Sequence, residues 1–121
     1  MDLPKRIDKP WGHELWYAHT ERYVGKILHI GKGHRLSLQY HESKDESAYL
    51  LRGRLRLTTG PSVDELSTRD IEPGGIWRNE PGTVHMIEAI EDAEVLEVST
   101  PEVDDVVRLE DDYGRTGTSD P

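Results

Sequence analysis

Gln39 and His41 stand two residues apart, Glu46 follows His41 by five, and His85 comes much later, behind the turn Glu80-Pro81-Gly82. An amide oxygen, two imidazoles and a carboxylate suit a divalent cation if the fold brings them to one point. The chain has no cysteine, which removes thiolate ligands and disulfides. Alternation along RLSLQYH (35 to 41) sends Arg35, Ser37, Gln39 and His41 to one face and Leu36, Leu38 and Tyr40 to the other. That polar face could line a cavity, or turn to solvent while the apolar face packs on a second sheet. Glu46, which follows a short acidic connection just before the next strand, and His85, delivered by its tight turn, make a shared cavity the reading to test.

The elements that must position these residues are strands. From Tyr23 to Ser99 the chain reads as short alternating runs: 22 to 30, 35 to 41, 47 to 53, 54 to 59, 63 to 71, 75 to 79, 84 to 90 and 93 to 100. Gly31-Lys32-Gly33, Arg52-Gly53, Gly60-Pro61, Pro73-Gly74-Gly75 and Glu80-Pro81-Gly82 supply the fixed or positive φ that reversals need. The spacing leaves no room for crossover helices, so the prediction is an all-β barrel of mostly antiparallel strands. A length of 121 residues suits one domain: a lead-in over 1 to 20 with an irregular Asp8-Lys9-Pro10-Trp11-Gly12, a barrel core over 21 to 100, a C-terminal segment over 101 to 115, and a tail over 116 to 121 too polar to be ordered.

Only 34% of residues are apolar and Phe is absent, so Leu, Ile and Val must build the core with a few Trp and Tyr. No run nears the roughly 20 apolar residues of a membrane span, and MDLPKRIDKPWG lacks the apolar stretch of a signal peptide. A soluble, cytoplasmic protein with no membrane partner is expected. The net charge of −9, with no Lys/Arg cluster, disfavours nucleic acid. Glu102, Asp104, Asp105, Glu110, Asp111 and Asp112 read as a solvated acidic face.

Two longer patterns carry a resemblance. Gly33-x5-Gln39-x-His41-x4-Glu46-x6-Gly53 resembles the first motif of the cupins, with Gln39 in place of the usual first His. Gly74-x5-Glu80-x-Gly82-x2-His85 resembles the second, with Glu80 at the usual Pro and Ala89 at the usual final Asn. The Gln-x-His variant, Lys9-Pro10-Trp11-Gly12 and the closing run from Asp105 to Arg115 together resemble the phosphomannose isomerases, and in particular the isomerase-like domain often fused to mannose-1-phosphate guanylyltransferases, here expected to stand alone. The resemblance implies a double-stranded β-helix (jelly-roll) barrel. It also implies one divalent metal ion, Zn, Mn, Fe or Ni, held by Gln39, His41, Glu46 and His85, and a sugar-phosphate substrate whose aldose and ketose forms are interconverted.

Phosphate needs cations. Arg35 shares the ligand face by alternation, with a salt bridge at the barrel mouth as its competing role; Arg108, Arg115 and Lys26 are further candidates, Lys26 with surface exposure as its default. Where the family carries His-His-Arg between the His and Glu ligands, this chain has Glu42-Ser43-Lys44, and Ser47-Ala48 replaces His-Trp after the Glu. Lys44 keeps the positive charge and is the candidate catalytic residue, the first choice for the general base. A different metal-dependent cupin enzyme, a dioxygenase or decarboxylase, and a non-catalytic sugar or nucleotide-sugar binder are the alternatives. Trp11, Trp16 and Trp77 exceed what so small a core needs, which points to a homodimer.

Overall fold

A computed structural model describes residues 2–114 and the backbone of 117 and 118. Ten strands, and no helix among the described residues, make up the fold: β1 (Lys5–Lys9), β2 (Gly12–His19), β3 (Val24–Ile30), β4 (Leu38–Tyr40), β5 (Glu46–Gly60), β6 (Ser67–Ile71), β7 (Ile76–Asn79), β8 (Val84–Ser99), β9 (Val107–Glu110) and β10 (Gly117–Thr118). Every strand pairing is antiparallel.

The long strands β5 and β8 pair along almost their whole length, and each serves two sheets. Their outer halves join β1, β2, β3 and β7 in one sheet, where Val24, Ser99, Glu46 and Asn79 form one cross-strand row and Lys26, Glu97, Ala48 and Trp77 the next. The remaining halves join β4, β6, β9 and β10 in the other, where Thr59, His85, Gln39 and Arg108 share a row. Both sets of rows turn inward. Leu28, Leu50 and Val95 from the first sheet meet Leu55, Leu57, Ile71, Ile87 and Ala89 from the second in one buried cluster. Each such Leu or Ile contributes about 1.5–3 kcal/mol of burial.

Several expectations change. Residues 47 to 53 and 54 to 59 are one strand, as are 84 to 90 and 93 to 100. Arg52-Gly53 does not reverse the chain; it marks register shifts that bend β5 from one sheet into the other. Gly53 sits at φ 90°, and a Cβ there would lie 2.2 Å from the Asp92 carbonyl oxygen. The lead-in is a β-hairpin, with Lys5 opposite Trp16 and Lys9 opposite Gly12. Its pattern escapes notice because β1 is almost wholly polar and a Glu occupies a core phase of β2. Gly12 is required there, since a Cβ would sit 1.9 Å from the His29 carbonyl oxygen.

Trp11, Trp16 and Trp77 are all buried, so they do not supply the sticky surface expected of them. Bringing a hairpin onto the barrel gives these rings a core to fill. Within the tail, Gly117 and Thr118 pair with Arg108 and Val107; backbone pairing needs no apolar side chain. The other tail residues and Arg115 lie outside the described residues.

Candidate metal centre

The ligand candidates arrive from both sheets. Gln39 on β4 lies opposite His85 on β8, His41 leaves the end of β4, and Glu46 opens β5. His41 Nε2 lies 3.1 Å and His85 Nε2 3.2 Å from the same atom, Glu46 Oε1. All three residues are buried, and their ligand atoms lie within 4.8 Å of one another. Gln39 lines the same cavity, its Oε1 accepting the Ser37 hydroxyl at 2.5 Å.

The surroundings orient the rings. His41 Nδ1 donates to the Asp105 carbonyl at 2.5 Å, and His85 Nδ1 donates to the Thr83 carbonyl at 2.9 Å. With Nδ1 protonated in both, each Nε2 presents a lone pair toward a carboxylate oxygen. Three electron-rich atoms facing one point repel unless a cation sits between them. His85 Nε2 is buried and makes no hydrogen bond, as a ligand atom would be. The donor set of two imidazoles and a carboxylate, with an amide at the rim, fits Zn²⁺, Mn²⁺, Fe²⁺ or Ni²⁺.

A second charge system lies behind the first. Lys44 is buried, with Nζ 3.4 Å from Glu46 Oε2 and 3.8 Å from Glu97 Oε1. Burial opposes its charge, but Glu46, then Glu97 and Glu14, outweigh burial and raise its pKa. Burial likewise works against ionised Glu46, yet the charge of Lys44 holds its carboxyl well below the usual range. Glu97 goes the other way: burial first, then the charge of Glu46, pushes it up to about 8. Deeper in the barrel Lys26 Nζ lies 3.3 Å from Glu14 Oε1 and 4.5 Å from the centre of the Trp16 ring, whose Nε1 donates to the same carboxylate at 2.8 Å.

Of the other candidates, Arg108 is buried and lines the cavity. Lys26 is 2% exposed rather than on the surface, because it alternates in phase with Val24, Leu28 and Ile30. Arg35 does not share the ligand face. The chain is irregular there, and its guanidinium forms a two-pronged pair with exposed Asp112, both contacts at 2.7 Å. Sequence reasoning misses Glu14, Glu97, Asn79 and Asp105. Asn79 Nδ2 donates to Glu46 Oε1 at 3.2 Å. Asp105, grouped in sequence with the solvated acids, instead accepts the backbone N–H groups of Glu42, Ser43 and Lys44 at 2.9, 2.7 and 2.8 Å. Burial opposes its ionisation, but those three donors keep its pKa low. It thereby fixes the loop between His41 and Glu46.

Asp105→Ala should consequently weaken metal binding about 10- to 100-fold while leaving every ligand in place. Competition with a chelator measures this; an unchanged affinity would mean the loop holds its shape unaided.

No family model matches the chain. By fold it is a cupin. It superposes on KdgF from Halomonas sp. with a TM-score of 0.71 at 21% identity, over 81% of this chain and 86% of that one. It superposes on oxalate decarboxylase from Bacillus subtilis with a TM-score of 0.75 at 17% identity, over 88% of this chain and 30% of that one. Within the class its sequence resembles the isomerase-like cupins joined to guanylyltransferases. It is 32% identical over 117 residues to the mannose-1-phosphate guanylyltransferase ManC of Salmonella typhimurium (strain LT2), covering 93% of this chain. The chain spans about a quarter of that relative, 24% of its length.

Proposed function

We propose that the chain is a metal-dependent, mannose-6-phosphate isomerase-like cupin that interconverts an aldose phosphate and a ketose phosphate. In this reading it is cytoplasmic, works as a homodimer on a small-molecule sugar phosphate, and has no nucleic-acid or membrane partner. The observation that carries it is the convergence of His41, Glu46 and His85 at one buried point lined by Gln39. The likeness to ManC directs that site toward sugar-phosphate chemistry.

A divalent ion held by Gln39, His41, Glu46 and His85 would act as a Lewis acid, drawing charge onto the substrate oxygens at C1 and C2 while a proton moves between those carbons. The protein groups around it bind and orient. Asp105 and Thr83 lock the imidazole rings through their backbone carbonyls. Lys44, kept protonated by Glu46 and Glu97, sets a fixed positive charge beside the developing enediolate and is the catalytic cation. It is not the base, because its pKa is raised. Arg108 and the deeper Lys26 add positive charge to the cavity wall. The cavity has a volume of about 70 Å³, enough for the reacting end of an open-chain sugar. Of the phosphate contacts expected from the sequence, Arg108 and Lys26 line this cavity, whereas Arg35 is held by Asp112.

Protein loaded in turn with Zn²⁺, Mn²⁺, Fe²⁺ and Ni²⁺ should convert mannose 6-phosphate to fructose 6-phosphate, and Lys44→Met should lower kcat by about 100-fold. No turnover with any of these ions overturns the isomerase reading. The small cavity also favours a second reading, a cupin decarboxylase or dioxygenase acting on a compact acid. Carbon dioxide release or oxygen uptake would identify it. A ligand that raises the melting temperature without being converted would identify a binding cupin.

A further inference from the structure

We propose that His13 and His29 form a second, outward-facing metal site, a chelating pair for a borderline transition ion such as Cu²⁺, Ni²⁺ or Zn²⁺. The two residues stand directly opposite each other on β2 and β3. Both alternate out of phase with buried Glu14, Trp16, Leu28 and Ile30, so their half-buried side chains lie on the outside of the barrel, away from His41, Glu46 and His85. Their rings stack, with centroids 4.3 Å apart and planes 16° from parallel. The chain has six histidines. Two belong to the buried centre, and the remaining two are placed singly, His19 edge-on to the Trp16 ring and His34 bonded to the Tyr113 hydroxyl at 2.7 Å.

The geometry suits chelation. Opposed Cβ atoms in an antiparallel pair are about 4.5–5.5 Å apart. An ion bound about 2.0–2.1 Å from each imidazole nitrogen needs those nitrogens roughly 3–3.4 Å apart. Rings already stacked at this spacing reach it by turning about their own side-chain bonds, with the strands left in place. With no cysteine in the chain, imidazole is the softest donor available, and paired imidazoles favour Cu²⁺, Ni²⁺ and Zn²⁺ over Mg²⁺ or Ca²⁺. Burial, then the charges of His29 and Arg6, lower the pKa of His13 against an opposing pull from Asp8, which leaves its ring a lone pair to offer at pH 7.

The neighbours accept a dication. The cross-strand row runs Asp8, His13, His29, Glu94, with a carboxylate beyond each imidazole. Asp8 holds Arg6 at 2.9 Å and Glu94 holds Arg52, so neither arginine stands as an unmatched charge that would repel the ion. The two imidazoles are the protein ligands, and water fills the other positions. An ion so bound ties β2 to β3 from outside the barrel. Two neutral nitrogens without an anionic ligand make a far weaker site than the buried centre. Metal-free buffer empties it, and elemental analysis of purified protein counts the buried ion alone. The pair lies outside the cavity, so its role stands or falls separately from the isomerase reading.

Ni²⁺ held on an iminodiacetate resin tests the pair, because an ion fixed to a matrix meets surface imidazoles and cannot enter the barrel. Untagged wild type should be retained and released by free imidazole. His13→Gln or His29→Gln alone should weaken retention about 100-fold, the chelate being lost with either ring, while an unchanged far-UV spectrum shows that the fold persists. His34→Gln, which removes an exposed single imidazole, should elute with wild type. In solution, added Ni²⁺ should raise the melting temperature of wild type further than that of His29→Gln, and the difference isolates the outer site from the buried centre that both proteins share. Wild type that passes the resin unretained, retention that survives in His13→Gln and His29→Gln, or equal Ni²⁺ stabilisation of wild type and His29→Gln overturns the assignment.

Discussion

Glu14→Gln should lower the unfolding free energy by about 3–5 kcal/mol, the effect of stranding one member of a buried ion pair. Lys26 is 2% and Glu14 7% exposed, and Gln keeps nearly the shape of Glu, so the loss comes from charge rather than packing. In urea at pH 7 the midpoint should fall by roughly 2 M, given a slope of about 1–3 kcal/mol per M. Glu14→Gln combined with Lys26→Met should recover most of this, since removing both charges leaves no stranded ion at that position. If the double variant is no more stable than the single one, the Lys26 charge is not what the substitution strands. The pH dependence has a definite sign. Burial opposes ionised Glu14, but Lys26, Lys9 and the Trp16 hydrogen bond lower its pKa in the folded state. Its contribution is therefore present above the ordinary carboxylate pKa and is lost as pH falls through the lowered one. Glu14→Gln removes that part of the acid sensitivity.

His85→Ala should abolish stoichiometric metal binding, lowering affinity by more than the 10- to 100-fold expected of an outer residue such as Asp105. The imidazole nitrogen lost is the buried one that makes no hydrogen bond, so nothing else in the fold uses it. His41→Ala should behave alike, since its Nε2 faces the same Glu46 oxygen. Elemental analysis of the purified variants against wild type measures both. Retention of a full equivalent of metal by either variant would place the ion elsewhere. Gln39→Ala should be milder, because a neutral amide is the weakest donor of the set.

Much of this arrangement is legible in the sequence, and the reason is periodicity. Alternation through RLSLQYH places Gln39 and His41 on one face, and the Pro81-Gly82 turn announces a residue delivered inward at His85. The same rule, followed for charged residues, would also have found the buried interior. Lys26 lies in phase with Val24 and Leu28, Glu14 with Trp16, and Glu97 with Val95 and Ser99. A charge at a core phase tempts one to read surface, and only knowledge of a neutralising neighbour on another strand removes the temptation. Asp105 has no such local signature. Its value lies in amide groups 61 to 63 residues earlier, a relation that only the closed barrel creates. Arg35 fails for the opposite reason: alternation ceases where its segment leaves the regular ladder, and Asp112 draws it outward.

The two-sheet course of β5 and β8 also bears on the order in which the chain can assemble. Glu46 and His85 start strands that run antiparallel, so they sit toward opposite ends of one ladder and enter the cavity from different sheets. Neither half of the barrel can collect the ligands alone. Closure of long loops must come first, which makes such topologies slow to form. Metal uptake would then follow closure rather than nucleate it, and an ion bound across the seam would act as a latch, retarding opening far more than it would hasten folding.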